Sequence, residues 1–126
     1  MREGYIFVAN NIFPTLLAVS IEEQSRGLMF EPWPPPIMSF VYSSPQVNRF
    51  WMHNTPSPLD LVFCRQGQIV QICQGEPFST SMLGDRLSDL VIEFPAGTVL
   101  SSGIKLGHKV GLVSPTAEEL KKIIGS

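Results

Sequence analysis

Apolar and polar residues alternate over short spans of this chain, with glycine, proline and asparagine punctuating them at close intervals. Such a pattern predicts many short strands and few helices. Tyr5 to Ala9 and Thr15 to Val19 read as strands around a turn centred on Asn10 and Asn11. In the following SIEEQSRGLMF, Ser20 and Glu23 have capping-box spacing and Gly27 can close the short helix they start. The prolines at 32, 34, 35 and 36 then impose a rigid, extended loop.

Beyond Pro36, strand-like pieces recur: IMSFVY, VNRFWM, LDLVFC and QIVQIC. Gln66-Gly67 is a tight turn between the last two, which pairs Cys64 with Ile69, Val62 with Gln71 and Asp60 with Cys73. This register puts Leu59, Leu61, Phe63, Val70 and Ile72 on an inner face, and Asp60, Cys64, Gln71 and Cys73 on an outer one. It also holds the two cysteines roughly 13 Å apart by strand rise, too far for a disulfide. Free thiols are expected, which suits a reducing compartment.

LVIEF is a further strand; Pro95 is suited to a helix entry, with a short segment through Ser102 and Gly103 closing it. IKLG is a turn before the strand KVGLV. The tail PTAEELKKIIG reads as a helical extension at about 115–124, with Thr116 and Glu119 at capping-box spacing and an apolar stripe of Leu120, Ile123 and Ile124. The sum is a mainly β fold, a compact β-sandwich or partly closed barrel with two or three short helices. At 126 residues the chain, 1–126, makes a single domain.

Composition narrows the function classes. The chain carries 9 Lys or Arg against 11 Asp or Glu, a formal net charge of −2, with no basic cluster to hold a phosphate backbone. Direct nucleic-acid binding is therefore not expected. No apolar run approaches the roughly 20 residues of a membrane helix, and MREGYIFVANN lacks the long apolar core of a secretory signal, so a cytoplasmic protein or a member of a soluble assembly is expected. Only 16% of residues are charged, below the roughly 25% of ordinary soluble domains, so proline, glycine, serine and glutamine must cover part of the surface and a homo-oligomeric or larger protein interface could cover the rest. Trp33, Pro34, Pro35 and Pro36, with Leu120, Ile123 and Ile124 of the tail, are the candidate partner-binding residues.

The run FWMHNTPSPLDLVF, Phe50 to Phe63, resembles the signature of the DUF192 (COG1430) family of uncharacterised proteins. SIEEQSRGLMF resembles its acidic helix and GLM motif, and VIEFPAG and GIKLGHKV resemble its closing strand, glycine turn and final strand. The resemblance spans about residues 16 to 113 and implies a small β-rich fold with no agreed activity. His53 stands where that family usually has lysine before the asparagine, and His108 where it usually has aspartate after the glycine.

Trp51, His53, Asn54 and Asp60 are the candidate ligand-binding residues, Trp51 as an apolar wall and Asn54 for orientation. His53 with Asp60 could form an oriented acid–base pair and so make an enzyme, but spacing supplies no nucleophile. Equally, Asn54 and Asp60 could satisfy loop amides around the prolines, with no substrate at all. Two histidines and two cysteines at these separations match no zinc pattern, and no glycine motif suits a phosphate or nucleotide, so neither metal nor cofactor is expected. The reading that follows is a noncatalytic binding or structural accessory domain acting through a protein partner or self-assembly; the alternative is a small-molecule-binding protein or enzyme with a pocket around His53, Asn54 and Asp60.

Overall fold

Strand β4 (Leu59–Arg65) is buried at six of its seven positions, the signature of a strand covered on both faces. A computed structural model, which describes residues 2–114, explains why. The other elements are β1 (Arg2–Val8), β2 (Asn11–Ala18), α1 (Ile21–Arg26), β3 (Met38–Val47), β5 (Gln68–Gly75), β6 (Leu87–Pro95), α2 (Thr98–Ser101) and β7 (Val110–Val113). All seven strands join one sheet in the order β5-β4-β6-β3-β2-β1-β7.

The sheet curls on itself. Ile6 and Val8 of β1 and Val110 of β7, from one end of the strand order, share a core with Val62, Cys64, Ile69, Ile92 and Phe94 from the other end. Residues just before β7 close part of the gap: Ile69 N–H donates to the His108 carbonyl at 3.0 Å, and Gly107 N–H to the Ile69 carbonyl at 2.9 Å. Of the two architectures expected, the chain takes the partly closed barrel. Its convex face carries a second core of Ala18, Leu28, Met38, Phe40, Met52, Leu59, Leu61, Phe63 and Val91, which the loops around Leu28 and Met52 cover. β4 and β6 lie between the two cores.

Local signals act as read around α1. Glu23 N–H donates to Ser20 Oγ at 3.1 Å while Ser20 N–H donates to Glu23 Oε1 at 3.0 Å, and Gly27 ends the helix with φ 51°. The Ser20 and Val19 amides, both donating to its Oε1, hold the Glu23 carboxyl below its ordinary pKa. α1 and the proline loop form the crossover that a parallel pair requires, since Leu16–Ala18 of β2 pairs in parallel with Met38–Phe40 of β3.

Four expectations are corrected. The first hairpin turns at Ala9 and Asn10, both at positive φ, and Asn11 instead begins β2 while its amide donates to the Val8, Ala9 and Ser102 carbonyls. VNRFWM leaves the sheet after Val47, because the Asn48 amide donates to the Ser88 carbonyl and hydroxyl and draws the chain into a loop. The Gln66-Gly67 turn sets Cys64 opposite Ile69 as expected, but Val70 bulges, so Phe63 faces Gln71, Val62 faces Ile72 and Leu61 faces Cys73. The bulge moves Ile72 to the concave core and Cys73 to the convex one. Pro95 ends β6 rather than opening α2. The predicted tail helix, with Leu120, Ile123 and Ile124, lies outside the described residues.

Candidate functional site

The GLM segment folds over the convex core beside the aromatic edge-to-face chain of Phe40, Phe50 and Phe63, whose successive ring centroids are 4.8 and 5.8 Å apart. Beneath it, β6 places Glu93 between Met38 of β3 and Leu61 of β4. Alternation along β6 turns Glu93 toward the same face as Val91, so a carboxyl stands in an apolar layer. Glu93 is only 4% exposed. Burial pushes its carboxyl up to about 8, and no hydrogen bond or neighbouring cation among the described residues offsets it.

A cavity of about 190 Å³ opens onto this carboxyl. Phe40, Phe50, Leu28 and Met29 give it apolar walls, Gly27 and Thr55 flank it, and Arg26, Arg49 and Trp51 also line it. Gly27 makes room for the acid: a Cβ there would sit 3.4 Å from the Phe40 ring and 3.6 Å from Glu93 Oε1. Burial, with a smaller contribution from Glu93, raises the hydroxyl of Tyr42 on β3 to about 12. Arg26 is held 3.4 Å from Glu31, whereas Arg49 is solvent-exposed.

The four residues read as a ligand site part company. Trp51 lines the Glu93 cavity and its ring lies 4.8 Å from that of His53, which is itself exposed and outside the cavity lining. Asn54 takes a left-handed turn at φ 54°, and its carbonyl accepts the Phe30 amide at 2.8 Å. Asp60 faces a different cavity, of about 220 Å³, with Gln74, Glu76, Pro77 and Gly97. Its Oδ2 accepts the Gly97 and Val99 amides, both at 3.0 Å, and so caps α2 from a distant strand. Among the described residues, no hydrogen bond joins His53 to Asp60, so the acid–base pair is not assembled. His108 is likewise committed to its turn, where Nδ1 accepts the Lys105 amide at 3.1 Å. No group of three or more His, Cys, Asp or Glu side chains converges as a metal site among the described residues.

Of the partner candidates, Trp33, Pro34 and Pro36 are exposed and Pro35 is buried in the chain's own body. No helix among the described residues is long and apolar enough to cross a membrane. Glu93 was missed because one acid in VIEFPAG reads as a solvent-facing strand position. Its available signal was the two apolar neighbours on either side of the acid within a strand covered on both faces.

The family model described as DUF192, Uncharacterized ACR, COG1430, matches residues 8–112. The chain belongs to the DUF192 family. Its matched region includes the GLM segment, the FWMHN run and the Glu93 strand, so the whole cavity lies inside the family domain. No curated protein matches the chain. Among solved structures, a protein of unknown function from Novosphingobium aromaticivorans is 30% identical with a TM-score of 0.77, over 85% of this chain and 83% of that one. A proposed transcription regulator from Sinorhizobium meliloti is 26% identical with a TM-score of 0.77, over 86% of this chain and 91% of that one. Both share the curled sheet of this DUF192 chain.

Proposed function

We propose that this DUF192 protein is a noncatalytic small-ligand-binding module whose recognition site is the Glu93 cavity. A single observation carries this reading: a carboxyl that is 4% exposed, without a protein hydrogen bond among the described residues, faces open space between Phe40, Phe50 and Arg49. A largely buried carboxyl whose oxygens meet only the solvent of this cavity is poorly compensated, and a ligand is one way to improve that. At about 190 Å³ the cavity is below the roughly 300–1,000 Å³ of sites for drug-sized molecules, which favours a small metabolite. Catalysis has less support, because Asp60 is committed to the amides of Gly97 and Val99 and no hydrogen bond joins it to His53 among the described residues. The regulator name of the Sinorhizobium relative does not supply a direct nucleic-acid role, given a net charge of −2.

Nondenaturing mass spectrometry of the protein purified gently from its host tests the reading. A reproducible small added mass on the wild type, absent from Glu93→Gln, is the expected result; a bare protein in both cases counts against it. Exposed Phe30 and Trp33 on the loop after α1, 66% and 56% accessible, favour a second reading as an accessory domain in a protein assembly. Defined homo-oligomers or mixed complexes in the same spectra would support that reading.

A further inference from the structure

The Glu93 cavity has a buried acid and two exposed guanidinium groups in one lining, and this narrows the ligand it can hold. The Glu93 carboxyl has no cation beside it among the described residues and is flanked by Phe40 and Met38. A small organic cation suits that place, since the acid can ionise against it and the aromatic lining of Phe40, Phe50 and Trp51 favours positive charge. At the lining's exposed positions stand Arg26 and Arg49. A simple cation gains nothing from them, whereas an anionic end would pair with Arg49, which makes no ion pair among the described residues. A simple anion would meet the guanidinium groups but give the buried acid no countercharge.

From this arrangement, and resting on the ligand-binding reading above, we infer that the cavity takes a small amino-acid-like zwitterion, its ammonium on Glu93 and its carboxylate on Arg49. The ammonium replaces the missing partner of the buried acid. Binding therefore ionises Glu93 and expels its proton at neutral pH. The other titratable or charged groups around the acid are Tyr42 from β3, Arg26 from α1 and Arg49 from the loop after β3. Tyr42, its hydroxyl raised to about 12, keeps its proton at pH 7.

Four probes that share the same branched four-carbon unit test the assignment: valine, isobutylamine, 3-methylbutanoate and isobutanol. Titrations of the full chain at pH 7, followed by amide and aromatic NMR signals and by calorimetry in two buffers of different ionisation enthalpy, read site, affinity and proton release. Valine is expected to bind at least tenfold more tightly than 3-methylbutanoate and to release a proton. Glu93→Gln should lose that preference, while Arg49→Gln, an exposed change that leaves the core intact, should weaken valine but not isobutylamine. Equal or tighter binding of 3-methylbutanoate, or valine binding unchanged in Glu93→Gln, would overturn the assignment. If isobutanol alone shifts the Phe40 and Trp51 signals, the zwitterion is wrong and the cavity still binds ligands. If none of the four shifts them, both readings fail.

Discussion

Asp60 caps α2 through Gly97: its Oδ2 lies 3.0 Å from the Gly97 amide, and the Val99 amide shares the same oxygen at the same distance. A strand residue thus serves a helix whose N-cap, Gly97, lies 37 residues later in the chain and offers no side chain of its own. Asp60→Ala should orphan both amides and destabilise the protein by roughly 2–4 kcal/mol in urea unfolding. Asp60→Asn keeps an acceptor oxygen and should lose about half as much. Exposed His53→Ala should stay within about 0.5 kcal/mol. A large loss at His53 would revive the pairing of these two residues.

Glu93 gives stability a pH dependence of definite sign. Its carboxyl titrates near 4.5 in the unfolded chain and at about 8 in the fold, so between those values the folded state binds a proton that the unfolded state has released. Stability contributed at this site is greatest below pH 4.5, falls as pH rises toward 8 and levels off above it, with a limiting slope of about 1.4 kcal/mol per pH unit. Glu93→Gln should remove this fall. Unfolding curves at pH 5, 7 and 9 should show the variant gaining on the wild type as pH increases; parallel curves would place the ionised carboxylate in a better solvated setting.

Gly84 is fixed by Phe63. A Cβ at Gly84 would lie 2.5 Å from the Phe63 ring and 2.8 Å from the Asn48 carbonyl, on a backbone already at φ 94°. Gly84→Ala should cost roughly 3 kcal/mol or more, combining a clash with a left-handed alanine. At Gly103, φ 69° with open space around it, alanine should cost only about 1 kcal/mol. Thermal unfolding of the two variants separates crowding from backbone preference.

The two thiols should differ in reactivity. Cys64 is fully enclosed in the concave core, where burial raises its thiol to about 12. Cys73 is half-buried beside the more open space around Met82 and Leu83, with its pKa also raised by burial. In the native state an aromatic disulfide reagent should modify Cys73 slowly and Cys64 only after unfolding. Equal native rates would mean that the concave core opens readily.

Signals confined to neighbouring residues were legible in the sequence. Ser20 and Glu23 cap each other within one turn, and Gln66-Gly67 adopts positive φ at both positions, as a tight hairpin requires. The Val70 bulge was not legible, because the turn dictates only the first pairs and packing on two faces decides the rest. Asp60 illustrates the same limit for the site: its chemistry as an amide acceptor was read correctly, but its recipients lie on α2 rather than in the proline turn. Glu93 depended on strand order. Only when β6 is known to run between β3 and β4, with the GLM segment overhead, does its acid become buried.

That strand order also sets a schedule for synthesis. β3 and β4 hydrogen-bond to β6 on either side but are not neighbours of each other, so the middle of the sheet stays vacant until Leu87–Pro95 has emerged. A ribosome-bound chain ending before Leu87 presents unpaired strand edges and the unfilled halves of both cores. The segment that carries the buried acid is thus also the one whose arrival permits the domain to close, and stalling just upstream of it would leave the nascent chain most dependent on chaperones.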